Sequence, residues 1–134
     1  QSTDYKNFDY SSVDSFALSL HDQKFRSLKK LSETLTSRYN TDYEKARAIF
    51  RWVTDNIAYD MVKARYIDNY RYYYTKPKTN NKTLLAIARK EFDNKMNWKW
   101  AKTTLIRKRG VCGDYAALFK VMCDLSGVEC EVIT

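Results

Sequence analysis

Cys112 is the residue of this chain best placed to do chemistry. It follows Gly110 and Val111 in the run Arg-Gly-Val-Cys-Gly-Asp-Tyr-Ala-Ala-Leu-Phe-Lys-Val-Met-Cys-Asp-Leu, residues 109–125. Beyond Asp114, the residues Leu118, Val121, Met122 and Leu125 recur at helical spacing, which puts the thiol at the mouth of a buried helix. Helix-terminal N–H groups there have no intrahelical acceptor, and the aligned peptide dipoles leave partial positive charge, so an anionic sulfur is favoured. Arg107, Lys108 and Arg109 just upstream push the same way. The pattern ends the helix at Ser126 with Gly127 in the left-handed cap, and Val128, Cys130 and Val132 then alternate with Glu129 and Glu131 as a strand over residues 128–134. An unpaired cysteine is more often a small buried hydrophobe. Cys123, three turns along, and Cys130 fit that description and are expected to be inert. Asp114 reads as a partner of the helix dipole rather than as a catalytic carboxylate.

Gly110-Val111-Cys112-Gly113-Asp114-Tyr115-Ala116, with Leu118-Phe119 and the later Gly127-Val128, resembles the nucleophile motif of the transglutaminase-like superfamily. Glu44 to Val53, followed by Asn56-Ile57-Ala58-Tyr59-Asp60, is similar to the helix preceding that motif in the branch containing kyphoscoliosis peptidase and its cytokinesis relatives. The resemblance implies an α+β, papain-like transglutaminase fold, mostly helical here with a C-terminal strand after the nucleophile helix. It implies one incomplete domain over residues 1–134 with an insertion at 61–82. The implied reaction is acyl transfer: Cys112 attacks a peptide or side-chain amide, helix-mouth N–H groups hold the oxyanion, and water or an amine releases the acyl group. Release by water makes a peptidase or amidase; release by lysine makes a protein cross-linker. The family's histidine and its acidic or amide partner follow the cysteine, whereas the one histidine here, His21, precedes it. These residues alone are therefore expected to be inactive. The rival reading is a non-catalytic module that grips an acidic protein or polysaccharide. The partner implied is a protein or peptide substrate, with no cofactor, and an unpaired strand 128–134 would leave an edge open to self-association.

Composition narrows the classes. At 134 residues with 44% hydrophobic and 30% charged residues, the chain can bury one real core but not two. No apolar run is long enough to span a bilayer. The formal charge of +8 is scattered along the helices, so solvated helix faces are the expected reading and no specific nucleic-acid partner is called for. Three cysteines and one distant histidine argue against a disulfide framework and against a metal site, although Cys123 and Cys130 could pair if the fold brings them close. Gln1, with no charged-then-apolar leader after it, reads as the start of a processed chain, such as that of an exported protein, or of a trimmed one.

The elements that must position Cys112 can be anticipated in order. Residues Gln1 to Asp9 are polar and expected to be loosely held. Val13 to Leu20 predicts a short helix. Asp22 is expected to cap a second helix from Gln23 to Arg38, with Phe25, Leu28, Leu31 and Leu35 as its stripe, and His21 is read as a turn residue. Thr41 with Glu44 predicts a capping box, behind which Ala46, Ile49, Phe50, Val53 and Ile57 mark a core stripe. Phe50 is thus expected in the core and Trp52 beside it. Tyr66, Tyr70, Tyr72, Tyr73 and Tyr74, interleaved with Arg65, Arg71, Lys76 and Lys78, could stack bases or sugars; packing against the helices is favoured, and as an insertion the segment is expected to line the site. Asn80 and Asn81 predict a turn and cap before a helix from Thr83 to Asn94 with Leu85, Ala88 and Phe92 inward. A further short helix carries Trp98, Ala101 and Leu105. Trp98 and Trp100 are read as core packing rather than as oxyanion ligands.

Overall fold

A computed structural model of the chain describes residues 8–64 and 81–131. The elements are α1 (Ser11–Ser19), α2 (Leu28–Thr36), α3 (Asp42–Asn56), β1 (Ala58–Tyr59), α4 (Met61–Ala64), α5 (Lys82–Arg107), β2 (Arg109–Gly110) and α6 (Cys112–Leu125). The two strands pair in parallel, Ala58 against Arg109 and Tyr59 against Gly110. A mostly helical domain with a small sheet is compatible with the α+β class anticipated. The Tyr66–Lys78 cluster lies outside the described residues.

Helices α1, α2, α3 and α6, with the last turns of α5, enclose one core that includes Leu31, Leu35, Ile49, Trp52, Leu105, Leu118 and Met122. Trp52 is its largest fully buried side chain, 0% exposed, whereas Phe50 is 47% exposed. The expected places of these two residues are therefore reversed. On α3 the buried residues are Ala48, Ile49, Trp52 and Val53. At about 100° per residue Trp52 falls near the centre of that face and Phe50 about 130° from it. Phe50 instead lies under the Arg47 guanidinium, 5.8 Å from its ring centroid.

Helix α2 begins later than anticipated, because Ser27 caps it by accepting the Lys30 N–H at 3.2 Å, and Asp22 does not. Phe25 is still buried, from the preceding loop, edge-on to Trp52 at 6.3 Å. Thr41 accepts the Glu44 N–H at 3.4 Å, but the Glu44 carboxylate takes the Thr41 hydroxyl, so the capping box is half formed as anticipated. Most of the segment expected to be loosely held, residues 1–7, lies outside the described residues; of the remainder, Phe8 packs on Tyr10 at 4.8 Å and on Tyr43 at 5.3 Å.

One 26-residue helix, α5, replaces the two short ones expected. Asn94-Lys95-Met96-Asn97 contains neither glycine nor proline to break it. Asn81 caps it as anticipated, accepting from Thr83 and Leu84. Its C-terminal part carries the burial, through Ala101, Thr104 and Leu105, while Phe92, expected inward, is exposed. The helix ends on Lys108 at φ 56, a left-handed conformation costing a non-glycine residue about 1 kcal/mol.

At the other end of the molecule α6 closes as anticipated. Gly127 sits at φ 75, the Val128 N–H reaches the Cys123 carbonyl at 2.9 Å, and the Gly127 N–H reaches that of Asp124 at 3.3 Å. The strand expected next is not formed over 128–131. Burial alternates there, but no ladder partner exists among the described residues, and 132–134 lie outside them. The strands that do form, β1 and β2, are two residues each, too short to leave a period in the sequence.

Two measurements test this packing. Trp52→Ala should lower the unfolding free energy by about 3–5 kcal/mol and Phe50→Ala by about 1 kcal/mol or less; equal losses in urea titrations would contradict the burial pattern. The second concerns Asp14, which ties α1 to α3 by accepting from Arg47 Nε at 2.8 Å and Nη2 at 2.9 Å. The hydrogen-bonded Arg47 holds the Asp14 carboxyl below its ordinary 3.8, with the Arg47 and Arg51 charges assisting and partial burial opposing. A lowered value means that the stabilisation is complete above pH 3.8 and is lost as pH falls through the folded-state value. Asp14→Asn should therefore cost about 0.5 kcal/mol at neutral pH, with the difference from the parent vanishing in strong acid. A constant difference across that range would contradict it.

Candidate active site

Val111, extended at φ −102 and ψ 179, leads into α6, so Cys112 is the first residue of the helix, and its thiol is exposed. The Val111 carbonyl accepts the Asp114 N–H at 2.9 Å and the Tyr115 N–H at 3.0 Å. No acceptor among the described residues takes the N–H of Cys112 or Gly113. A Cβ built on Gly113 would meet nothing within 4 Å. An exposed sulfur beside two uncommitted amides and open space has the makings of a thiol nucleophile with an oxyanion site.

Holding that helix mouth in place is a set of bonds to the chain leaving α3. The Ala58 N–H donates to the Lys108 carbonyl at 2.9 Å, the Asp60 N–H to the Gly110 carbonyl at 2.8 Å, and the Tyr115 hydroxyl to the Ile57 carbonyl at 2.5 Å. Burial raises the Tyr115 hydroxyl above its ordinary value, with nearby Tyr59 adding to the shift. Asp114 is buried, and its Oδ2 accepts both the Val111 N–H at 3.0 Å and Lys63 Nζ at 2.7 Å. Asp60, also buried, caps α4 by accepting the Lys63 N–H at 3.0 Å and faces Arg107 Nη2 at 3.7 Å. That amide lowers the Asp60 carboxyl, the Arg107 and Arg109 charges assist, and desolvation opposes. Gly110 is needed for proximity: a Cβ there would lie 2.6 Å from the Asp114 Cβ and force the helix away.

Cys112 stands where it was expected, and Asp114 serves the first turn of its own helix as anticipated. The three upstream cations do not act together: Arg107 turns to Asp60, and Lys108 Nζ lies 5.5 Å from the Trp52 ring centroid. The cation that reaches the helix mouth is Lys63, which sequence reasoning missed because it begins the poorly patterned region after Asp60. The available clue was Asp60 three residues before it, a plausible cap for a single helical turn. His21 Nδ1 pairs with Asp55 at 2.8 Å, and among the described residues no hydrogen bond joins it to Cys112. Trp98 is exposed rather than in the core, and lies in a cleft with Lys120, Val121 and Asp124. Lys120 is about 12 Å along α6 from Cys112, so the Trp98 indole is remote from the helix mouth. Burial pushes the Cys123 thiol up to about 12, and neighbouring Cys130 adds to the shift. Among the described residues no three His, Cys, Asp or Glu side chains gather as a metal site, and no helix is long and apolar enough to cross a membrane.

A family model described as a transglutaminase-like domain matches residues 26–131, which run from just before α2 to beyond α6 and include the whole of this site. The chain therefore belongs to the transglutaminase-like domain family. No curated protein and no solved structure matches it.

The exposure of the three thiols gives a direct test. In the folded protein iodoacetamide should modify Cys112 at least about 100-fold faster than Cys123, and urea should remove the difference. Peptide mapping of the alkylated cysteines measures both rates; equal rates under native conditions would contradict the placement of Cys112.

Proposed function

We propose that Cys112 is the nucleophile of an acyl-transfer reaction on peptide or side-chain amides, within a papain-like transglutaminase scaffold. The thiol gives its proton to a base and attacks the amide carbonyl, while the Cys112 and Gly113 N–H groups stabilise the oxyanion. The amine departs with the proton and leaves a thioester on Cys112. Water then yields the acid, or a lysine amine yields a cross-link. Among the described residues no hydrogen bond joins His21 to Cys112, and in the family the base follows the cysteine, so the base in this reading is a histidine that these 134 residues do not contribute. Hydrolysis and cross-linking both fit this chemistry, and the insertion 61–82 is read as lining the way in.

The observation that carries this reading is an exposed thiol on the first residue of a helix whose first two amides lack acceptors among the described residues, inside the family-matched region. A non-catalytic binding module on the same scaffold is the second reading. It is favoured by the lack of any hydrogen bond from Cys112 to a base among the described residues.

The test uses the full-length protein and a glutamine-containing peptide, following ammonia release with and without an added primary amine. Cys112→Ala should lower the rate at least about 1,000-fold while Cys123→Ala leaves it within a fewfold of the parent. Turnover that survives Cys112→Ala would overturn the nucleophile assignment. Peptide binding without turnover, indifferent to Cys112→Ala, would establish the binding module instead.

A further inference from the structure

We infer that Lys63 is a positioning residue for Cys112, cancelling a carboxylate charge that would otherwise oppose the reactive form of the sulfur. This rests on the reading of Cys112 as the reacting group. Asp114 stands two residues after Cys112 in the same helical turn, and its side chain is only 5% exposed. Its Oδ2 is already used to hold the Val111 N–H, and so fixes the peptide that leads into Cys112. That bond needs an acceptor oxygen but no cation. A buried carboxylate at a helix mouth, however, subtracts from the positive end of the dipole that a sulfur anion needs. Lys63 Nζ, 2.7 Å from the same oxygen, removes that opposition.

The geometry holds Lys63 to this task. Its own N–H is taken by Asp60 Oδ1, which fixes the single turn of α4, and Asp60 is engaged in turn by the Ala64 N–H, by its own N–H on Gly110, and by Arg107. Among the described residues, the charged groups around the helix mouth are Asp114 on α6, Lys63 on α4, Asp60 between β1 and α4, Arg107 at the end of α5 and Arg109 on β2, with the Tyr59 and Tyr115 hydroxyls beside them. Asp60 and Arg107 face one another, which leaves Lys63 as the counterion of Asp114. Removing the Lys63 charge changes the field at Cys112 without touching the thiol or the Cys112 and Gly113 amides.

Alkylation of Cys112 by two reagents of similar size and different charge reads that field. A change that only loosens the fold alters the rates of anionic iodoacetate and neutral iodoacetamide together; a change of local charge alters their ratio. Lys63→Met should lower the iodoacetate-to-iodoacetamide ratio at Cys112 by about two- to fivefold at low ionic strength, with the effect shrinking in added salt. Lys63→Arg should restore the parent ratio, Asp114→Asn should raise it, and the double variant K63M/D114N should return close to the parent. Circular dichroism establishes that each variant is folded at the assay temperature. If Lys63→Met is not folded there, Lys63→Gln, which keeps a hydrogen-bond donor for Asp114 without the charge, is read in its place with the same expected fall. A ratio unmoved in a folded Lys63→Met protein, or one as low in Lys63→Arg as in Lys63→Met, would overturn the inference. No turnover is needed, so an inactive full-length protein with the expected ratios would sink the acyl-transfer reading and leave this assignment standing.

Discussion

Two short pieces of backbone lying side by side, Ile57–Asp60 and Lys108–Gly110, hold this domain's candidate site together. Their parallel pairing is only two residues long, yet it joins the end of the central core helix to the start of the helix that carries Cys112. So small a ladder would not persist alone. It is reinforced at one end by the Tyr115 hydroxyl on Ile57 and at the other by the Asp60 and Asp114 carboxylates with Lys63. Gly110 sits at the crossing point, where the Asp114 Cβ comes too close for any side chain. The sulfur is thereby attached to a hydrogen-bonded crossing of two segments while remaining exposed.

Burial and exposure are divided sharply along α6. Leu118, Val121, Met122 and Cys123 are sealed into the core around Trp52, which anchors the helix; Cys112 and Gly113 at its start are exposed. A thiol in the first region is a packing element, and burial keeps it protonated. The same group at the second position sits beside amides that have no acceptor among the described residues. The difference between a structural and a reactive cysteine in this chain is thus a matter of eleven residues along a single helix.

Much of this was legible in the sequence. The Cys112 helix, its Gly127 cap, the α3 helix and the Asn81 cap all carry local signatures: a period, a glycine at a helix end, a capping side chain. What escaped notice depended on contacts between distant segments. The exchange of Phe50 and Trp52 turned on which arc of α3 meets α1, α2 and α6. The continuity of α5 was obscured because half of it is poorly buried and so shows little apolar period. The β1 and β2 strands are specified by one another rather than by any pattern of their own. Lys63 is linked to Asp114 across 51 positions, a separation that no spacing rule reports.

The central claim about Cys112 is that it forms a covalent acyl bond, as distinct from being merely exposed. The most direct measurement is mass spectrometry of the full-length protein after brief exposure to a thioester or activated ester of a short peptide, quenched in acid and mapped to individual cysteines. The account predicts a hydroxylamine-sensitive acyl increment on the peptide containing Cys112, absent from Cys123 and lost when the protein is first unfolded in urea. Acyl groups spread evenly over the cysteines, or found only in the unfolded protein, would contradict it.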